Sequence, residues 1–259
     1  MYQLILSAVL GLCWGSFLTV VIWRIDDLKS IFQTRSRCTN CEAEISWYDL
    51  IPLISYGILR GRCRHCKKRI SGIYPLIEII TAIIFVLIFL KFGISWMALL
   101  LVFVFSSLVI NLGYDAVHML IVDQFIWLGV ALTALYQILH ITDWADWKTI
   151  GINVGLGILI GVAIPAILVF VGRGKWMGEG DISLGLLAGL LVGYPNILVA
   201  YILAFIIGSL YGITVIILKR NNIKDAVPFG PFLVLGTTVA FFAGETIIKW
   251  YANLSFFNF

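Results

Sequence analysis

Gly178-Glu179-Gly180-Asp181 sets a carboxylate among glycines where a short basic loop meets an apolar segment. A second carboxylate, Asp115, stands 66 residues earlier at the end of another apolar segment. Asp and Glu number only 14 in 259 residues, and a carboxylate at the edge of an apolar run is costly, so both need a reason to be there. Two carboxylates about 3 Å apart cannot both ionise, and they share one proton. One can then deprotonate a water while the other, protonated, polarises a peptide carbonyl, which is the chemistry of an aspartic protease. Glycines at 178 and 180 allow a tight turn and the close approach of an extended strand. Each carboxylate also has a plainer reading. Asp181 would serve as the N-cap of the helix that follows it, and Asp115 as an interfacial charge that reaches water. Asp123 reads as a cap or turn residue, and Glu179 as an exposed loop residue.

A second cluster lies upstream. Cys38-Thr39-Asn40-Cys41 and Cys63-Arg64-His65-Cys66 form two C-x2-C turns separated by 21 residues. Each turn presents two thiolates to one ion, and Cys38, Cys41, Cys63 and Cys66 together complete the tetrahedron that zinc prefers. The loop that holds them, of about 48 residues, is too small for a core of its own, so a bound metal would supply the missing folding energy. Ten flanking cations favour the thiolate forms. The competing reading is two redox pairs or two disulfides, which a reducing compartment disfavours. His65 reads as solvent-facing inside its turn, and Cys13, in an apolar segment, as a small buried hydrophobe.

These residues must be carried by a membrane protein. The chain is 61% hydrophobic and 12% charged, with a mean hydropathy of +1.02. The apolar runs are continuous rather than alternating, so they read as helices. The expected fold is an all-α polytopic membrane protein with eight spans, at about 2–23, 73–91, 95–114, 122–140, 149–171, 182–193, 197–218 and 229–250. The sixth is short for a full crossing and reads as tilted, broken or partly re-entrant. The first lacks a basic n-region and a small-residue cleavage site and reads as a retained span.

The domain plan is a first span at 1–24, a zinc-ribbon-like four-cysteine loop at 25–72, and a multi-span region at 73–259. Fifteen of the 18 Lys and Arg fall in stretch 24–72, loop 172–180 and loop 219–228. The other three are Lys91, Lys148 and Lys249, beside acidic Asp143 and Asp146. The positive-inside rule therefore puts the basic loops in the cytoplasm, with Asp115 and Asp181 both at cytoplasmic span ends. The basic surplus of the cysteine loop follows from that rule and from attraction to anionic headgroups of the lipid bilayer. It could also receive a ligand. No nucleic-acid partner is expected.

Taken in order, these residues resemble the bacterial type IV prepilin peptidases, bifunctional leader peptidase/N-methyltransferases of the G-x-G-D membrane aspartic protease type. Gly15-Ser16-Phe17-Leu18-Thr19-Val20-Val21 with Arg24 resembles the family's opening span, where Asn usually stands in place of Thr19. Cys38 to Cys41, Ile45 to Pro52 and Leu59 to Cys66 follow its cysteine loop, and Tyr74-Pro75-Leu76-Ile77-Glu78 its exit into the second span. Asp115 and Gly178 to Asp181 match its two catalytic positions, and Pro228-Phe229-Gly230-Pro231-Phe232 the motif before its last span. Val122 stands where the family often has Pro, and the stretch from Asp27 to Arg37 lacks the family's usual prolines.

The resemblance implies an enzyme of the cell inner (cytoplasmic) membrane. It would cleave the short basic leader of a type IV prepilin or pseudopilin after a glycine, on the cytoplasmic side. It would then methylate the new N-terminal residue with S-adenosylmethionine. The resemblance puts methyl transfer in the cysteine loop, where Gly61 is a candidate for close approach to a ligand. No Gly-rich nucleotide motif marks a methyl-donor pocket. Three other readings compete: a transporter with intramembrane carboxylates, a peptidase without methyltransferase activity, and a zinc-ribbon adaptor that would leave Gly178 to Asp181 unexplained. An archaeal-type preflagellin peptidase would share the two Asp but lack the cysteine loop.

Overall fold

The computed structural model describes residues 2–27, 29–33, 35–140, 144–218 and 227–256, with the side chains of 26, 32, 140, 144–146, 255 and 256 outside the description. Helices account for most of it. In order they are α1 (Tyr2–Trp23), α2 (Ser30–Gln33), α3 (Ile54–Ile58), α4 (Ile73–Phe92), α5 (Trp96–His118), α6 (Asp123–His140), α7 (Trp144–Gly172), α8 (Gly180–Val192), α9 (Asn196–Ile217) and α10 (Gly230–Phe256). Two 3-10 turns, Ile25–Asp27 and Trp47–Leu50, join them, and the described residues contain isolated β-bridges but no β-strand.

Every expected span is a helix, and the helices differ in length. Six helices are long and apolar enough to cross a membrane: α1, α4, α5, residues Trp147–Gly172 of α7, α9, and residues Gly230–Leu254 of α10. The described part of α6 (Asp123–Leu139) and α8 are shorter apolar helices. At 1.5 Å per residue, the 13 residues of α8 reach only about 20 Å, against a hydrocarbon core of about 30 Å. Of the eight expected spans, six are thus long and apolar enough to cross by length and composition, and the sixth, α8, is short as expected. Two other boundaries also move. The span expected to stop at 114 runs to His118, so Asp115 sits inside the last turn of α5, where no Gly or Pro interrupts the helix until Met119 turns to φ +55°. Helix α7 begins before the expected 149. The cationic loop containing Lys219, Arg220 and Lys224, and acidic Asp143 and Asp146, lie outside the described residues or side chains.

The chain divides into two compact units, residues 1–113 and 114–259. In the first, α1 packs on α4 through small residues. A Cβ on Gly11 would lie 2.6 Å from Ala82 Cα, and one on Gly15 2.8 Å from Glu78 Cα, so the two backbones meet where any larger residue would part them. Trp14 Nε1 donates to Ser106 Oγ at 2.8 Å, tying α1 to α5. In the second unit, Gly157 and Gly161 of α7 face Gly189 and Gly185 of α8 in the same way. The Tyr201 hydroxyl of α9 donates to Gly161 O at 2.6 Å across that seam. Gly185→Val would drive a side chain into the Gly161 carbonyl and the Tyr201 hydroxyl, and a loss of roughly 1–3 kcal/mol of stability is expected, read as a lower unfolding temperature of the purified protein.

The distribution of polarity is that of a protein solvated by lipid. Phe170 on α7 is 87% exposed, and Ile202, Ile206, Leu210 and Ile213 line an exposed face of α9. Four buried hydroxyls are satisfied locally, whereas Thr237 Oγ1 is buried without a partner among the described residues. Thr81, Ser106, Thr133 and Thr238 each donate to the carbonyl four residues back.

Candidate active site and metal centre

The two expected carboxylates both belong to the second unit, and both are buried: Asp115 is 5% exposed and Asp181 7%. A backbone amide holds each one. Gly230 N–H, at the start of α10, donates to Asp115 Oδ2 at 2.9 Å. Gly178 N–H donates to Asp181 Oδ2 at 3.1 Å, and Asp181 N–H returns a bond to Gly178 O at 3.2 Å. This reciprocal turn differs from the plain cap. The N-cap of α8 is Glu179, and Asp181 lies inside the helix with its carboxylate turned back on the glycine loop. Glu179 itself is exposed, as expected.

Ile121 brings the two carboxylate-bearing segments together. A Cβ on Gly180 would fall 2.7 Å from Ile121 Cβ, and one on Gly230 would fall 3.2 Å from Ile121 Cδ1 and 2.5 Å from Asp115 Oδ2. The loop after α5, the start of α8 and the start of α10 therefore converge on one side chain, and the carboxylates lie close enough to interact electrostatically. No direct hydrogen bond joins the two carboxyls among the described residues. Asp123 is exposed at the start of α6 and accepts from Ser183 Oγ at 3.2 Å, consistent with a turn residue. Sequence reasoning missed Gly230 and Ile121 as parts of this site. The only signal was the Pro228-to-Phe232 motif, since a backbone donor leaves no residue type to recognise. Gly230→Ala should push the Asp115 carboxyl off its amide, since the added Cβ would fall 2.5 Å from Asp115 Oδ2.

The cysteine cluster belongs to the first unit. The sulfurs of Cys38, Cys41, Cys63 and Cys66 all lie within 4.8 Å of one another, and Cys38 Sγ is 3.8 Å from Cys66 Sγ. Zinc–sulfur bonds of about 2.3 Å in a tetrahedron require sulfurs about 3.8 Å apart, so the set fits one zinc ion. The two turns repeat the same backbone design. Cys38 N–H donates to Ala43 O and Cys63 N–H to Lys68 O, while Glu42 N–H donates to Cys38 O and Lys67 N–H to Cys63 O. Glu42 and Lys67 both take left-handed φ, 56° and 59°. The amides of Ala43 and Lys68 then point at the second sulfur of each pair. The Lys68 amide, with the Asn40 side chain, draws the Cys66 thiol down to about 6. The Ala43 amide acts the same way on Cys41, but burial and the three neighbouring sulfurs outweigh it and push that thiol up to about 11. Such a cluster holds its first thiolate readily and its last only when a cation replaces the protons. His65 is exposed and outside the ligand set, as expected. Cys13 is exposed, not buried as its apolar setting predicts, because it points away from α4 on the outer face of α1.

Gly61 has φ +65° and is buried against Tyr56, whose Cζ and hydroxyl would lie 2.9 Å from an added Cβ. A glycine is therefore required here by the turn and by the ring above it. A cleft of about 290 Å³ opens beside it, lined by Leu59, Arg60, Arg62, Cys63 and Lys67. Arg64 clamps the loop from the other side. Its Nε and Nη2 donate to Asp49 at 2.8 and 2.6 Å, and its guanidinium lies 5.3 Å from the Tyr48 ring centroid. The bonds from Arg64 hold the Asp49 carboxyl below the usual carboxylate range, despite some opposing desolvation. The clamp thus stabilises the loop wherever a free Asp is ionised, and that stabilisation is lost as pH falls through the lower value of the clamped carboxyl. Amide exchange over residues 47–66 is accordingly expected to accelerate on acidification below the ordinary Asp range, and Arg64→Ala to abolish that step.

Comparison with known proteins follows the same outline. The family model for the bacterial peptidase A24 N-terminal domain matches residues 9–92. The chain is 30% identical over 248 residues to a prepilin leader peptidase/N-methyltransferase of Bacillus subtilis (strain 168), covering 95% of this chain and 97% of that one. It is 30% identical over 268 residues to the enzyme of that name from Aeromonas hydrophila, covering 92% and 89%. A type 4 prepilin-like proteins leader peptide-processing enzyme of Escherichia coli O78:H11 is 32% identical over 255 residues, covering 90% and 91%. No solved structure matches the chain.

Proposed function

The chain belongs to the bacterial prepilin leader peptidase/N-methyltransferase family, and from that membership we propose that Asp115 and Asp181 are its peptidase dyad and that residues 25–72 carry its methyl transfer. It is a multi-pass membrane enzyme that removes the leader of a prepilin and N-methylates the product. The peptidase reading rests on one observation above all. Two buried carboxylates, each steadied by a glycine amide, stand on segments that meet at Ile121.

A water between the carboxyls gives a proton to the ionised one and attacks the scissile carbonyl. The protonated carboxyl donates to the carbonyl oxygen, and collapse of the tetrahedral species expels the new amine with a proton. The amides of Gly178 and Gly230 fix where each carboxyl points and leave the other oxygen of each for this exchange. Because the pair titrates as a unit, neither residue is assigned as the base. The transporter reading fares worse, because Asp115 is in the last turn of α5 and Asp181 in the first turn of α8, at helix ends and not at mid-span.

Cys38, Cys41, Cys63 and Cys66 would hold one structural zinc, which supplies folding energy to a loop without a core. The methyl donor, S-adenosylmethionine, supplies an electrophilic methyl group when bound, and the uncharged N-terminal amine left by cleavage is its acceptor. Gly61 and the cleft beside Cys63 form the candidate methyl-transfer region. The positive-inside rule favours a cytoplasmic cysteine loop and cytoplasmic carboxylates in the inner membrane, acting on a type IV prepilin or pseudopilin.

Incubating the purified protein with a prepilin and methyl donor, and weighing the product, reads both activities at once. An uncut substrate would defeat the reading. Gly61→Val, which meets the Tyr56 ring and an unfavourable φ, is expected to leave cleavage near normal and to remove most of the methylation. Full methylation by that variant would move the methyl-transfer site elsewhere.

A further inference from the structure

Between the two cysteine pairs the chain displays apolar side chains that the protein leaves uncovered. Trp47 is 78% exposed, Ile54 60% and Ile58 72%, and Leu50 and Ile51 are exposed beside them. Ile54 and Ile58 share one face of α3, four residues apart. The metal cluster uses none of them. A segment bathed only in water seldom presents such a patch.

The level of this patch relative to the spans can be read from the first unit itself. Trp23 at the end of α1 stacks on Tyr74 at the start of α4, centroids 5.6 Å apart and 10° from parallel. Aromatic rings at the ends of apolar helices sit at the membrane–water boundary. Glu78 lies one turn further along α4, about 6 Å deeper. It is buried, and it accepts a hydrogen bond from Leu53 N–H at 2.9 Å. Leu53 is held for this bond at φ +58°, ψ −45°, a conformation leucine avoids, with Ile54 N–H closing a three-residue turn onto Pro52 O at 2.6 Å. The turn is therefore pinned to the boundary end of α4, within one helical turn of the aromatic pair, and α3 leaves from it. The exposed Leu76, Ile79 and Ile83 continue an outward apolar face along α4. At the far end of the segment stand exposed Arg60 and Arg62.

We propose that residues 47–58 form an interfacial strap that docks the cysteine loop onto the bilayer, with the apolar side chains at the boundary of headgroups and acyl chains and Arg60 and Arg62 against anionic lipid phosphates. Three features select lipid as the occupant: the Glu78 anchor at the boundary end of α4, the continuity with the apolar face of α4, and the cations that flank the patch. Glu78 is the positioning residue. Its buried carboxyl stands inside an apolar helix and supplies the acceptor that holds the turn.

The test uses the full chain in nanodiscs of phosphatidylglycerol and phosphatidylcholine. A diazirine-bearing leucine analogue is introduced separately at positions 54, 58 and 42, the last an exposed site on the first cysteine turn. After illumination, lipid adducts are expected at 54 and 58 and near none at 42. In phosphatidylcholine alone, or in Arg60→Gln, the adducts at 58 should fall about fivefold. Glu78→Ala should lower the adducts at 54, whereas Glu78→Gln, which keeps an acceptor for Leu53 N–H, should not; zinc content, measured in parallel, identifies variants whose loop has failed to fold. Adducts at 54 and 58 no greater than at 42 would overturn the strap, as would cross-links to added prepilin or to a second copy in place of lipid.

Discussion

Asp115→Asn and Asp181→Asn are each expected to abolish leader cleavage, with losses of at least about 10²–10⁴-fold, because each removes a group that must carry or accept the shared proton. The fold should survive both changes. Asn has nearly the same shape, and its amide oxygen can still accept from Gly230 N–H or Gly178 N–H. The double variant should be little worse than either single one, since residues that act as one unit lose their function together. Asp123→Asn is the control. Its carboxylate is exposed and, among the described residues, accepts from the Ser183 hydroxyl, so most activity should remain. The comparison needs initial rates on one prepilin, with cleavage read by mass. A near-normal rate for Asp115→Asn beside an inactive Asp123→Asn would transfer the first catalytic role to Asp123.

Replacing Cys63 and Cys66 together by Ser is the second large effect. A four-cysteine site in a small loop contributes metal-binding free energy of order 10–16 kcal/mol, comparable to or greater than the whole stability of a typical domain. The double variant should therefore bind no zinc and lose amide protection across residues 36–70, and methylation should disappear with it. Cleavage should suffer less, because Asp115, Asp181 and the amides that hold them all belong to the second compact unit and the cysteines to the first. Elemental analysis, hydrogen exchange and product mass answer these points separately. Chelation of the intact protein should reproduce the phenotype, and acidification should favour metal release, since even the Cys66 thiol is protonated below about 6. Wild-type protein that carries no metal, with four freely reactive thiols, would refute the zinc assignment.

The composition and runs of this chain determined by themselves that it is a helical membrane protein, because uninterrupted apolar stretches near 20 residues have no other way to satisfy their backbones. The paired C-x2-C spacing determined the sulfur cluster, since each turn brings its own two thiols together and only the union of two turns remained to be made. Asp115 and Asp181 stood out because charges are scarce in such a chain. The number of crossings was less legible. Hydropathy marks α6 and α8 as apolar, but whether a short apolar helix spans depends on its length and on what packs around it.

Only the tertiary structure decided what aims the chemistry. Gly230 reaches Asp115 across 115 residues with a backbone N–H, and Ile121 joins three helix ends by shape alone. Leu53 bends into a left-handed turn to meet a carboxylate on α4. Gly61, which the sequence offered as a ligand-facing residue, is also demanded by its φ and by the Tyr56 ring. The physical reason is common to the first three. Side-chain types and local spacing are written in the sequence, whereas backbone donors and close approaches take their partners from distant segments, and those partners exist only once the helices have packed.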